Sequence, residues 1–268
     1  MLSDRFGRVI DSLRVSITDN CNYSCFYCKP NCEQAHFNYL RLADIEKLAV
    51  SINRLGIRKI KLTGGEPLIH SEVVEIVSLF KQIVPETELS ITTNGYFLES
   101  LAEKLCLAGV ERLNISLDSI KPELYHRITG VNSLSSVLSG LNRAGQMKFK
   151  RIKINTVYMK GVNEDQIDPI KKFAAEKGFG FQLINMMDLY ADKSNFEDIS
   201  RFDRPPKCVG CSKLRVTSDM KVISCLFDDH KTDLKLYTDI DEGFRVAASK
   251  KELCGKNRTE GEMYRIGG

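Results

Sequence analysis

Apolar residues recur along this chain with two different periods. Short runs rich in β-branched residues, Leu13–Ile17, Lys59–Leu62, Glu88–Thr92, Arg112–Leu117, Ile152–Val157 and Phe181–Met186, predict strands. Between them the spacing lengthens to that of a helix. Ile45, Leu48, Ala49, Ile52 and Leu55 mark one helical face, and Gly56 follows as a C-cap. Val73, Ile76, Val77 and Phe80 mark a second, with Pro85 just beyond its end. Further faces come from Leu98, Leu101 and Leu105, from Leu134, Val137, Leu138 and Leu141, and from Ile167, Ile170 and Phe173. Strands alternating with helices at this spacing predict a parallel sheet with helices packed outside. The pattern allows an open doubly wound sheet or an incomplete barrel. In both, functional loops belong at the carboxyl ends of the strands. After Met186 the alternation breaks: Asp188–Pro206 is polar and irregular, and a cysteine-rich tail runs to Gly268.

Composition changes this picture in one respect. The 268 residues carry a formal charge of +4, with 43% hydrophobic and 28% charged residues, as in an ordinary globular protein. No apolar window approaches the roughly 18 residues of a membrane span. The N-terminus MLSDRFGRVIDSLRVSITDN lacks the apolar core of a secretory signal. A cytoplasmic protein is therefore expected. The small net charge predicts no nucleic-acid partner and leaves room for a small anionic ligand. The anomaly is nine cysteines. In a reducing compartment, clustered cysteines hold metal or do redox chemistry more often than they form disulfides.

Cys21, Cys25 and Cys28 form C-x3-C-x2-C directly after the first predicted strand. Three thiolates in a short loop suit an iron–sulfur cluster or zinc. A cluster held by three thiolates keeps one iron open to an exogenous ligand, and Cys32 would be available to complete a zinc set instead. Cys208, Cys211 and Cys225 form a second triplet, C-x2-C-x13-C, with Cys254 available as a fourth ligand. Cys106 follows Leu105 on a helical face and reads as a buried core thiol. His36, His70, His126 and His230 have no metal-like spacing and receive no role.

The segments LRVSITDNCNYSCFYCKP, KIKLTGGEP, ITTNG, RLNISLDS, YHRITG, KINTVYMKGVN, the second cysteine triplet and the terminal MYRIGG occur in that order. By these the chain resembles the radical S-adenosylmethionine (SAM) enzymes, and among them the GTP 3′,8-cyclases of molybdenum-cofactor biosynthesis. The resemblance implies an α/β fold: an incomplete (βα)6 TIM-type barrel over residues 1–187, with a short iron–sulfur-binding extension over 188–268 that ends in a Gly-Gly tail. It implies two [4Fe–4S] clusters and SAM as cofactors. Cys21, Cys25 and Cys28 would hold the cluster that binds SAM, and Cys208, Cys211 and Cys225 a second cluster that contacts the substrate's purine. Tyr27, Gly64, Gly65, Glu66, Ser116 and Met187 match positions that contact SAM. Arg14, Lys61, Thr92, Lys153, Lys213 and Arg215 match positions around the nucleotide, where Arg forks and Lys ammonium groups suit a triphosphate. Gly267 and Gly268 match a tail that assists cyclisation. The implied reaction is a radical lyase reaction: a 5′-deoxyadenosyl radical takes hydrogen from C3′ of GTP, and the resulting radical attacks C8 of guanine.

The chain departs from that family in three ways. Lys61 and Lys213 stand where Arg is usual, Gln182 replaces a further Arg, and the stretches from Met187 to Cys208 and from Cys225 onward are short. Two other readings stay open at this level. One is a two-cluster radical SAM enzyme acting on another nucleotide, a sugar or a peptide; the other is a non-catalytic binding protein stabilised by zinc. Expected partners are GTP or a related anionic substrate and an electron donor such as flavodoxin or ferredoxin. No membrane is expected, and a homodimer is compatible with the sequence.

Overall fold

The computed structural model describes residues 1–28, 37–186 and 208–255. Nine strands, β1 (Ser12–Ser16), β2 (Lys59–Thr63), β3 (Glu88–Thr93), β4 (Arg112–Ser116), β5 (Arg151–Tyr158), β6 (Gly180–Asn185), β7 (Lys213–Val216), β8 (Lys221–Ile223) and β9 (Lys231–Asp233), join in one sheet. Their order is β6-β5-β4-β3-β2-β1-β7-β8-β9. β1 to β6 are parallel, and β7 adds to the free side of β1, also in parallel. β8 and β9 then extend that side antiparallel. Six consecutive strands in unbroken sequential order exclude the doubly wound arrangement, which needs a point where the order reverses. The fold is the α/β partial barrel.

Among the described residues, seven helices accompany the sheet: α1 (Leu42–Leu55), α2 (Val73–Ile83), α3 (Leu98–Ala108), α4 (Pro122–Thr129), α5 (Leu134–Gly145), α6 (Ile167–Glu176) and α7 (Ile240–Ser249). Neighbours pack in series, α1 on α2, α2 on α3 and α3 on α5. The predicted faces are those that bury, and Gly56 ends α1 in the left-handed conformation at φ 73°. Leu101, Leu138 and Phe173 lie at the core margin, packed against it but partly exposed.

Side chains alternate across a strand, so each strand has two faces. On one, Leu13, Val15, Ile60, Leu62, Leu89, Ile91, Leu113, Ile115, Ile152 and Ile154 merge with the helical faces into a single core. The other face carries Arg14, Lys61, Ser90, Thr92, Asn114, Lys153, Asn155, Gln182 and Arg215, aligned by the strand register. The sheet is thus oily toward its helices and polar toward its interior.

Four differences from the predicted elements have plain causes. β7 has only four residues, and its apolar alternation, Leu214 and Val216, is too short to stand out beside the cysteines. β8 and β9 are shorter still. α4 buries only Tyr125, Ile128 and Thr129, less than a full apolar stripe. α7, the fourth, lies in the segment read as a tail. Cys106 is half-buried and does not belong to the core as expected; its place on α3 lies beside the buried stripe of Leu98, Ala102 and Leu105. Cys32, His36, Met187, Gly267, Gly268 and the boundary at 187/188 lie outside the described residues. Among the described residues, no helix is long and apolar enough to cross a membrane.

One buried group sits in this core at a cost. Ser51, on the inner face of α1, is fully buried, and its hydroxyl has no hydrogen-bond partner among the described residues. Ser51→Ala removes that unmet polar group and improves helix propensity. It should raise unfolding stability by about 1 kcal/mol. Urea denaturation of the two proteins reads this directly, and a lowered midpoint would contradict it.

Candidate functional site

The loop that follows β1 carries Cys21, Cys25 and Cys28 and crosses the carboxyl end of the sheet. It is tied to every loop it passes. Gly65 N–H donates to Thr18 O at 2.8 Å, and Glu66 N–H donates to Asn20 O at 2.8 Å. An added Cβ on Gly64 would stand 2.4 Å from Thr18 O, and one on Gly65 2.2 Å from Asn20 O. The paired glycines are therefore required by the approach of the cysteine loop itself, whereas the resemblance gave them only as positions that contact SAM. Beyond β3, the Asn94 side-chain amide donates to Asn22 Oδ1 at 2.8 Å. From α4, Thr129 O and Ile128 O accept from Ser24 N and Phe26 N at 3.0 and 3.2 Å. A buried hydroxyl chain, Tyr125 to Tyr23 at 3.1 Å and Tyr23 to Ser133 at 2.6 Å, closes the far side.

Two buried carboxylates flank this loop. Glu66 Oε1 accepts from Leu68 N (3.0 Å) and the Thr93 hydroxyl (2.6 Å), and Oε2 accepts from Asn94 N (2.7 Å). Burial raises its pKa to about 7 against those three donors. Pro67 follows and opens one turn of 3-10 helix that Glu66 caps. Asp118, just past β4, accepts from the Tyr27 hydroxyl at 2.8 Å and from Val157 N at 2.7 Å. Burial raises it to about 6. Burial and the Asp118 charge together push the Tyr27 phenol well above its ordinary value.

Cys21, Cys25 and Cys28 are all half-buried, and the Cys25 thiol is perturbed by the other two. Burial, then the charges of Asp118, Cys28 and Cys21, push it well above the ordinary thiol range. Three soft donors on one loop, within each other's field, are the set that an iron–sulfur cluster takes. Binding it would discharge the thiol protons. Among the described residues no three ligating side chains converge as tightly as a single metal ion requires; a cubane is a larger body, with its ligands further apart. On the interior face, the buried polar atoms Thr63 Oγ1, Thr92 Oγ1 and Asn155 Oδ1 have no partner among the described residues, the signature of a face built to meet a polar ligand.

The basic residues form a pattern that the sequence could not display. Arg14 is the register partner of Lys61 on one side and of Arg215 on the other. Three adjacent strands thus present cations side by side, a concentration of positive charge that suits an anion. Lys213 lies one step lower, beside Ser12. Lys153 lies across the sheet and donates to Gln182 Oε1 at 3.1 Å. Gln182, where the resembled family has Arg, is therefore a neutral acceptor for Lys153. Ser116 ends β4 beside Asn155.

The second triplet flanks the β7–β8 hairpin, with Cys208 and Cys211 before β7 and Cys225 after β8. Cys208 and Cys211 share a turn, Cys211 N donating to Cys208 O at 3.0 Å, and Cys225 Sγ accepts from Phe227 N at 3.5 Å. Arg8 reaches this turn: its guanidinium donates to Cys208 O and Leu253 O at 2.9 Å and to Glu252 O at 2.7 Å, while Asp4 holds its other side. Lys251, 2% exposed, donates to Ser224 O at 2.6 Å and Lys213 O at 3.0 Å. Sequence reading missed Asn22, Asn94, Asp118, Arg8 and Lys251. The first three stand inside motifs at strand ends, where functional loops were expected; nothing in the sequence distinguishes the two basic residues from surface ones.

This architecture, with cysteines above a parallel partial barrel, is that of a radical SAM protein, and the Radical SAM superfamily model matches residues 15–174. Solved structures agree in fold. Streptococcus suis SuiB bound to its precursor peptide SuiA superposes with a TM-score of 0.71 at 15% identity, covering 91% of this chain and 65% of that one. Native anSMEcpe with bound AdoMet gives 0.69 at 16% identity, covering 90% and 81%. Among curated relatives, the GTP 3′,8-cyclase of Clostridium botulinum (strain Langeland) is 32% identical over 318 aligned positions, 99% of each chain. That of Nautilia profundicola is 34% identical over 277, covering 88% of this chain and 86% of its own. The chain belongs to the GTP 3′,8-cyclase family of the radical SAM superfamily. The "Probable GTP 3',8-cyclase" of Thermococcus kodakarensis is 46% identical over 189 residues, but the match spans only 60% of that protein. The family carries a [4Fe–4S] cluster and SAM, and the cysteine loop has the donors for it.

Glu66 makes the stability of the cluster-free chain depend on pH. Its folded pKa, about 7, lies above its ordinary value of 4.5. Its contribution is complete below pH 4.5 and is lost as pH rises through about 7, on the order of 3 kcal/mol in all. Urea denaturation across this window should show Glu66→Gln gaining on the wild type as pH rises. Parallel curves for the two proteins would contradict it.

Proposed function

We propose that this protein is a radical SAM lyase that converts GTP to (8S)-3′,8-cyclo-7,8-dihydroguanosine 5′-triphosphate for molybdopterin synthesis. When bound, the first cluster and SAM supply a one-electron cleavage and a carbon radical able to take hydrogen from C3′. The chain's residues do the rest. Cys21, Cys25 and Cys28 would hold the cluster; Glu66, its carboxylate fixed by three donors, would meet the ammonium of SAM; Tyr27, braced by Asp118, would lie along the adenine, and Ser116, Gly64, Gly65 and Met187 would complete the surround. Cys208, Cys211 and Cys225 hold a second cluster, so that the protein carries two, and Gly267 and Gly268 assist cyclisation. The observation that carries the substrate is the row of cations Lys61, Arg14 and Arg215 on three adjacent strands. A triphosphate answers three neighbouring positive charges better than any neutral ligand, and Lys153, Thr92 and Lys213 extend that surface. A flavodoxin or ferredoxin donates the electron, in the cytoplasm.

The test is anaerobic reconstitution followed by SAM, reductant and a panel of nucleotides, sugars and peptides. GTP-dependent 5′-deoxyadenosine with a cyclised purine product is the expected outcome, and turnover with only another substrate class overturns the reading. Arg14→Met should raise the KM for GTP about 10- to 100-fold, the loss of one charge-assisted contact, with SAM affinity unchanged. An unchanged KM would remove Arg14 from the triphosphate site.

A further inference from the structure

Lys251 stands two residues past α7 and is among the largest fully enclosed side chains of the protein. Lysine is almost never buried without a counter-charge. Here its ammonium donates to Ser224 O at 2.6 Å and to Lys213 O at 3.0 Å. These two backbone carbonyls use two of its three N–H groups. Neither carries a full negative charge, and a buried ammonium facing only neutral dipoles is costly. A cluster held beside it by the neighbouring cysteines would supply the negative charge.

The geometry adds a second reason. Lys213 stands just beyond Cys211, and Ser224 immediately precedes Cys225. One ammonium thus ties the C-x2-C half of the triplet to its lone third cysteine, two segments joined only through the β7–β8 hairpin. Arg8 secures the same region from outside, binding the carbonyls of Cys208, Glu252 and Leu253.

We propose that Lys251 is a positioning residue of the second cluster: it holds Cys208, Cys211 and Cys225 as one ligand set and places a buried positive charge beside the cluster. This rests on the two-cluster reading above. The added positive charge favours the reduced cluster, so its removal lowers the reduction potential.

The test compares anaerobically reconstituted full-length wild type, Lys251→Met and Lys251→Gln by iron and sulfide content, circular dichroism and potentiometric titration followed by electron paramagnetic resonance. The SAM-dependent change in the first cluster's signal serves as the internal control. Wild type should hold about eight irons. Lys251→Met should fall to about four with the SAM-dependent signal intact. Lys251→Gln keeps two donors without the charge, and should load the second cluster at a lower midpoint potential. If Lys251→Met holds both clusters and the potential does not move, the role is overturned. It is equally overturned if Lys251→Met loses the helical signal and both clusters, which would make Lys251 a residue of the fold at large. A wild type with only about four irons would overturn the two-cluster reading itself, and this role with it.

Discussion

Two backbone hydrogen bonds hold the cysteine loop on the sheet, and the site depends on how closely they bring two chains together. Thr18 O and Asn20 O meet the N–H groups of Gly65 and Glu66. No side chain fits in that gap, since an added Cβ would come within 2.4 Å of a carbonyl oxygen on either glycine. Once the loops are in register, the remaining ties can form: Asn94 to Asn22, Asp118 to Tyr27, and the hydroxyls of Tyr125 and Ser133 to Tyr23. Each comes from a different loop or helix. The three thiols are thus positioned by the whole upper rim of the barrel, and Glu66, the residue after the glycines, is positioned by the same contact.

The rim and the interior differ in charge. Glu66 and Asp118 are carboxylates stripped of water, held by hydrogen-bond donors. Deeper, Lys61, Arg14 and Arg215 stand side by side on β2, β1 and β7. The two layers give a cationic ligand and an anionic one distinct places to bind.

Much of this was legible in the sequence. The six parallel strands and the faces of α1, α2 and α5 follow from periodicity alone, because each element is long enough to repeat its pattern. The cysteine loop announces itself by spacing. The row of cations does not, since Lys61, Arg14 and Arg215 become neighbours only through strand register across distant segments. Lys251 and Arg8 were invisible for a different reason: composition marks a lysine or arginine as exposed, and only packing reveals Lys251 as buried and Arg8 as half-buried. β7, α4 and α7 were too short or too mixed to stand out. Gly64 and Gly65 stood out only through the resemblance, and the sequence could not say that the cysteine loop approaches them.

The position of β7 has a consequence for how the chain is made. β1 lies in the interior of the finished sheet, paired on both sides, yet its second neighbour is Lys213–Val216, far along the chain from it. During synthesis, β1 can pair with β2 early, while its other edge stays open until β7 leaves the ribosome. A nascent chain therefore carries an unpaired strand edge, directly below the cysteine loop, until then. Truncated products would keep that edge permanently and be prone to pairing with one another. The segment that completes the second cysteine triplet is also the one that seals the barrel's starting strand.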